Sequence, residues 1–203
     1  GTCDPGGASN GFVRRERDVK IASIVEGDGE VKALPVLLRR LAGWRPPDPY
    51  PQPLRPIKVS RDRFLNREQE FSRHLQLAAK KCEGDGWILI LLDADDDCPA
   101  ELGPTTLERA RKCVPHRPVS VVLANREYEA WFIATAASLD GCRGFVYEPT
   151  DTIDAEVPRN AKGWIKARIQ GQSYGEVMDQ PAFSARMDLQ VAYENSRSFR
   201  KLC

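Results

Sequence analysis

Four aspartates in five positions follow an uninterrupted apolar run. "WILILLDADDDCPAELG", residues 87–103, sets Asp93, Asp95, Asp96 and Asp97 where a buried strand must end. Like charges at that spacing repel, and each resists ionising beside its neighbours. The pattern calls for something positive. A second apolar run, "VKIASIVE" (19–26), also ends in acid, at Glu26. Ligands of open α/β sheets gather at the carboxyl ends of strands. If the two runs are neighbouring strands, Glu26, Asp93 and Asp95 share one patch of edge. Hard oxygen donors, few in number and shared with water or phosphate, are what Mg²⁺ takes. A cation there polarises a phosphoryl oxygen or positions a nucleophile. A structural reading competes, because Asp at a helix start meets the positive end of the helix dipole. Asp96 and Asp97 read as caps as readily as ligands, and Asp97 is kept with the metal set.

Three further stretches carry chemistry. "REYEAW" (126–131) follows a fourth apolar run, which puts Arg126, Glu127 and Glu129 at the same edge. Glu127 would complete a second metal position, and Arg126 would meet a phosphate bidentately. Glu129 reads as either a ligand or a helix cap, and Trp131 as core. "RNAKGWIKARIQGQSYG" (159–175) clusters Arg159, Lys162, Lys166 and Arg168 with Trp164 and Tyr174. Basic residues interleaved with aromatics suit a nucleic-acid track, and a solvated loop equally well. Near the end, Ser196, Arg197, Ser198 and Arg200 could meet phosphate, whereas Phe199 and Leu202 point to packing. His74 has apolar neighbours at helical spacing and reads as structural. No GxxxxGK[ST] string occurs, so ATP hydrolysis by this chain alone is not expected.

The elements that would position these residues alternate. "VKIASIVE" reads as a buried strand and "EVKALPVLLRRLAGW" (30–44) as a helix, with Val31, Leu34, Leu37, Leu38 and Leu41 on one face. Pro35 is placed near its first turn and Gly43 at its stop. "RPPDPYPQPLRP" (45–56) reads as loop, and "IKVS" as a short strand. "NREQEFSRHLQLAAKKC" (66–82) reads as a helix capped by Asn66. The strand before the aspartates follows, then a helix over 105–114, a strand over 118–125 and a helix over 126–139. Strand–helix repetition of this kind predicts an α/β fold, a Rossmann-like, mostly parallel four-stranded sheet covered by helices. The expected organisation is a flexible leader (1–17), the α/β domain (18–140) and an α-rich C-terminal appendage packed on it (141–203).

Composition narrows the class. Thirty basic against 29 acidic residues leave a formal charge of +1 in 203 residues, so any basic surface is local. The six cysteines form no CxxC pair and the two histidines stand far apart, which argues against zinc and against a disulfide framework. No stretch reaches the length of a membrane span, and the first residues lack a signal peptide's apolar core. Reduced thiols and a cytoplasmic location are expected, with no membrane partner.

"VEGDGE" (25–30) and "LLDADDD" (91–97) resemble the two signatures of Toprim domains. "ANREYEAWFIA" (124–134) and "MDLQVAYENSRSFRKL" (187–202) resemble a bacterial Toprim-related family known as domain of unknown function 4276. The Toprim superfamily includes the nuclease half of overcoming-lysogenisation-defect proteins. The resemblance implies that Glu26 acts in acid–base or metal chemistry, that Asp93 and Asp95 hold Mg²⁺ (or Mn²⁺), and that Glu30 is the additional acid of nuclease-type members. It also implies bacterial defence against phage or mobile DNA beside a separately encoded ABC/SMC-like ATPase. One departure is the string DADDD, which leaves the ligands beyond the first two aspartates open.

The leading expectation is a metal-dependent endonuclease acting on nucleic acid, DNA ahead of RNA. One alternative is a non-catalytic nucleic-acid-binding or regulatory subunit. Another is a glycosyltransferase using Mn²⁺ on a DxD, although such an enzyme has no need of a glutamate ending the first strand.

Overall fold

The computed structural model describes residues 18–47, 49–150 and 154–203. The leader expected over 1–17 lies outside the described residues. The strands are β1 (Val19–Val25), β2 (Pro51–Pro53), β3 (Ile57–Lys58), β4 (Trp87–Asp93) and β5 (Val119–Ala124). All pair in parallel in the order β2–β1–β4–β5, and β3 lies beyond β2 along the same edge of β1. The sheet therefore has four positions, the outermost filled by two short strands end to end.

β2 corrects the reading of 45–56 as loop alone. Pro51 and Pro53 lack N–H donors, but an edge strand needs few of them. β1 supplies its share, with the Val19 N–H donating to the Tyr50 carbonyl at 2.9 Å.

Helices cover both faces. α1 (Asp28–Trp44) lies on one. α2 (Arg61–Asn66), α3 (Glu68–Cys82) and α4 (Pro99–Cys113) lie on the other. Period-two alternation along β4 sends Leu89 and Leu91 to the α1 side and Ile88, Ile90 and Leu92 to the α3 side. Short helices α5 (Ala130–Ile133) and α6 (Ala161–Lys166) lead to α7 (Glu176–Arg186), α8 (Leu189–Asn195) and α9 (Arg197–Leu202). Phe183, Met187, Ala192 and Phe199 from these last helices share one core with Val25, Leu34, Leu91 and Trp131. The C-terminal segment thus completes the layer on the α1 face.

Several boundaries differ from expectation. Asn66 ends α2 and does not cap α3, because residues 61–66 form a turn of helix of their own. α4 starts at Pro99, where a missing N–H costs nothing at the first helical position. Pro35 falls inside α1, which begins at Asp28, and the helix runs on because Leu34, Leu37, Leu38 and Leu41 are packed on the sheet. The helix expected over 126–139 is reduced to α5 and a 3₁₀ turn, because Arg126 adopts φ +68°.

The chain passes from β1 to β2 and β3 on one side, then crosses to β4 on the other. That reversal makes the β1/β4 carboxyl edge the switch point of the sheet, where α/β folds open a crevice.

Candidate functional site

Glu26 and Asp93 flank that switch point. Asp93 ends β4 with the parity of Leu89 and Leu91, so its carboxyl faces α1 and α7. Glu26 continues the parity of Ala22 and Ile24 toward α2 and α3. The site straddles the sheet edge.

On the α1 side, "EGDGE" has a steric logic. A Cβ on Gly27 would collide with Glu30 Oε2, so the first glycine leaves room for the Glu30 carboxyl. Glu30 is the third residue of α1 and folds back on the helix start, where the N–H groups of Gly27 and Glu30 favour its charge. A Cβ on Gly29 would collide with the Gln180 side chain, so the second glycine admits α7. Glu30 is only 7% exposed and its Oε2 has no hydrogen-bond partner. Glu129, 1% exposed, accepts from Tyr174 Oη at 2.9 Å and Gln180 Nε2 at 3.0 Å.

Burial pushes all four of these acids above the usual carboxylate range. Asp93 is raised most, first by burial and then by Glu30, Glu129, Glu26 and Asp95. Glu26 is raised by burial and Asp95, against the opposing pull of Arg61. Glu30 and Glu129 are likewise raised by burial, partly offset by the Gln180 amide and, for Glu129, by Lys162 and Tyr174. Asp93 Oδ1 accepts the Tyr128 N–H at 2.9 Å. Four carboxyls meet at this edge, and the cations Arg61 and Lys162 relieve only Glu26 and Glu129.

The remaining aspartates do have cations. Arg61, 8% exposed, donates Nε to the Asp93 carbonyl at 2.8 Å and Nη2 to the Ala94 carbonyl at 3.1 Å. Its Nη2 also pairs with Asp97, and its Nε stands 3.5 Å from Asp95 Oδ2. Arg126 donates to the Asp95 carbonyl at 3.0 Å and to Asp96 Oδ1 at 3.1 Å. Asp95 and Arg126 both take left-handed backbone, φ +51° and +68°, and the Asp95 N–H donates to the Arg126 carbonyl at 2.9 Å. The positive charge that the aspartate run calls for is thus partly internal.

The other expected site residues divide. Glu127 Oε2 accepts the Lys162 N–H at 2.7 Å, which anchors the start of α6. Lys162 Nζ pairs with Glu176 at 2.8 Å, and Glu129 adds to the charges that raise it. Arg168 stacks on Trp164 at 3.7 Å and donates to its carbonyl. Lys166 is exposed on the last turn of α6. Lys162 and Arg168 are therefore engaged within the fold, whereas Arg159 and Lys166 are exposed. Trp131 is fully buried and donates to Ser198 Oγ at 2.8 Å, as its reading as core requires.

Among the described residues, no three His, Cys, Asp or Glu side chains stand grouped as a ready metal cage. Mg²⁺ does not require one, since it keeps waters and takes one or two carboxylates with the substrate's phosphates. The donor set fits such an ion: all oxygen, desolvated, under-neutralised, with one carboxylate oxygen unpartnered.

A parallel, helix-covered sheet with acids at the switch point of its carboxyl edge defines a Rossmann-like α/β protein. The family model described as Domain of unknown function (DUF4276) matches residues 25–203, and the chain belongs to that family. No curated protein and no solved structure matches it. Among the described residues, no helix is long and apolar enough to cross a membrane.

Proposed function

We propose that the protein is a Mg²⁺-dependent nuclease of the Toprim type, cleaving nucleic-acid phosphodiesters. One observation carries this reading: Glu26, Glu30, Asp93 and Glu129 converge at the β1/β4 switch point with their charges raised in energy and Glu30 Oε2 unpartnered. A fold does not bury that much like charge for stability, and perturbed acids in a crevice mark functional sites. Glu30 and Asp93 would hold the cation, with Glu26 at its rim. Bound there, it supplies Lewis-acid polarisation of a phosphoryl oxygen and activation of water. Glu26, half-buried and raised by burial and by Asp95, is placed to take a proton from an attacking water. Arg61 keeps the turn that carries Asp93 and Asp95 fixed. The Toprim resemblance further supports a defence role in bacteria beside a separate ABC/SMC-like ATPase.

The test is a cleavage assay on supercoiled plasmid, single-stranded DNA and structured RNA with Mg²⁺, Mn²⁺ or EDTA. Metal-dependent nicking is expected, reduced at least about 100-fold in both Glu26→Gln and Asp93→Asn. Cleavage that persists in EDTA, or in both variants, overturns the assignment.

A second reading, a non-catalytic nucleic-acid-binding or regulatory subunit, is favoured by one specific observation. Arg61 and Arg126 already engage Asp95, Asp96 and Asp97. An inert wild type that still binds nucleic acid would select it.

A further inference from the structure

Beside Glu26, on the α3 face of the sheet, lies a groove of about 510 Å³. Its cations come from three elements: Lys58 from β3, Arg63 from α2 and Arg73 from α3. Ser60 and His74 add polar groups, and two carboxylates, Glu26 and Glu70, also line it, leaving the three cations in excess. We propose that this groove holds backbone phosphates of the substrate strand next to the bond presented to the carboxylates. The proposal rests on the nuclease reading and assigns the path of its substrate.

The existing partners of these cations are weak. Lys58 meets Asp28 at 2.6 Å, with both side chains at least half exposed. Arg73 stands 3.8 Å from Glu70 and is 72% exposed. Exposed pairs of this kind contribute about 0–1 kcal/mol, so exchange for a phosphate costs little. Among the described residues Arg63 pairs with no acid. His74 is held by its Nδ1, 2.7 Å from the Glu70 carbonyl, and by edge contact with Phe64, and among the described residues its Nε2 has no hydrogen-bond partner.

The groove's walls define the ligand class. Its apolar members, Val59 and Phe64, are buried, at 5% and 0% exposure. The ring of Phe64 is fully buried and that of His74 is 12% exposed. Among the described lining residues no open aromatic face is therefore offered for a base to stack on, and recognition falls to phosphate, independent of sequence. Position agrees with charge. Glu26 turns toward this side of the sheet, so a strand lying over α2 and α3 would run straight to it. By contrast, Lys162 and Arg168 of the basic stretch are held by Glu176 and Trp164.

The experiment measures binding of a labelled single-stranded oligonucleotide by fluorescence anisotropy, in EDTA so that it stays uncut, across a salt series. Wild type is compared with the Arg63→Ala/Arg73→Ala double variant and with Lys166→Ala. Both arginines are exposed, and equal thermal melts would confirm folding. The double variant should bind at least about tenfold more weakly, with its log–log salt slope shallower by about 1.4, the share of two lost phosphate contacts on a single strand. Lys166→Ala should bind as wild type does. If the double variant matches a binding wild type, the groove assignment falls while the nuclease reading stands. If wild type does not bind nucleic acid at all, both fall together. A nucleoside monophosphate that displaces the oligonucleotide at equimolar concentration would make the groove a mononucleotide site and overturn the strand assignment.

Discussion

Arg61 bonds the main-chain carbonyl of Asp93 through Nε at 2.8 Å, tying the start of α2 to the last residue of β4. The same guanidinium holds the Ala94 carbonyl and Asp97 and stands beside Asp95. One almost buried side chain therefore sets the conformation of the whole acidic turn. Removing it withdraws the cation from Asp95 and Asp97, whose side chains are more than half exposed. It also leaves the inner carbonyls of Asp93 and Ala94 without this donor, at about 1–3 kcal/mol for a buried acceptor left unsatisfied. Arg61→Ala should lose about 3 kcal/mol in urea unfolding, most of it from the two carbonyls. Arg61→Lys should recover only part of this, since an ammonium cannot reproduce the planar fork. A loss under about 0.5 kcal/mol, typical of a neutral surface change, would show that the turn holds itself.

The buried acids predict an exchange of stability against function. Asp93 is raised well above its ordinary value by burial and by its acidic neighbours, so its ionised form strains the fold at neutral pH. Asn keeps an acceptor for the Tyr128 N–H and removes the charge. Without metal, Asp93→Asn should melt higher than wild type, by about 1 kcal/mol in equivalent stability. The sign follows from linkage: a carboxyl whose folded pKa is raised weakens the fold as pH climbs past its unfolded value. The difference between the two proteins should therefore shrink as pH falls toward 4. Mg²⁺ at about 100 times its Kd should add about 2.7 kcal/mol to wild type and little to the variant. An Asp93→Asn protein that melts lower at every pH would show that its carboxylate is structurally satisfied.

The two glycines of "EGDGE" should fail differently. Gly27 has φ −101°, which any residue adopts, so only the Glu30 carboxyl stands in the way of a Cβ. Gly27→Ala should leave the melt within about 0.5 kcal/mol and abolish metal-dependent cleavage by displacing Glu30. Gly29 faces the Gln180 side chain across the α1–α7 contact. Gly29→Ala should cost about 1–3 kcal/mol through overpacking, less the roughly 1 kcal/mol that alanine gains in a helix. Matched effects of the two changes, whether on melting or on cleavage, would contradict this division.

What the sequence reveals of this site follows the range of its forces. β1, β4 and β5 are legible because unbroken apolar runs are buried on both faces, and Glu26 and Asp93 because they end those runs. Glu30 is legible through its motif. Arg61 is not, since "RDRF" has no apolar period and its partners lie 32 to 36 positions away. Its signal in the sequence is indirect: four crowded aspartates require a cation, and a metal ion meets that requirement as readily as a distant arginine. Gln180 and Tyr174 reach Glu129 because α7 lies along α1, a pairing that only tertiary packing decides. Glu129, which reads as either a ligand or a helix cap, takes the N-cap position of α5, but its side chain makes no capping bond and turns inward to Tyr174 and Gln180. Lys162 and Arg168 show the reverse, because composition reports charge and is blind to their internal partners Glu176 and Trp164.

Glu156 gives a pH signature remote from the acidic cluster. Its Oε1 accepts from Ser196 Oγ at 2.7 Å and the Ser198 N–H at 2.8 Å, and its Oε2 from Asn125 Nδ2 at 3.2 Å. These bonds clip the α8–α9 junction to the end of β5, where Ser198 in turn receives the Trp131 indole. Burial opposes the charge, but the donors prevail and hold the carboxyl below its ordinary value of 4.5. A depressed carboxyl contributes stability that is complete above that value and is lost as pH falls through the folded pKa. Glu156→Gln should therefore destabilise by about 1–2 kcal/mol at pH 7, in line with hydrogen bonds to a charged acceptor. Wild type and variant should converge only as pH falls through the depressed folded pKa, where the carboxyl is neutral in both states. Urea titrations at stepped pH would show it: a gap that stays constant down to pH 3 would mean that shape, and not charge, secures this clip.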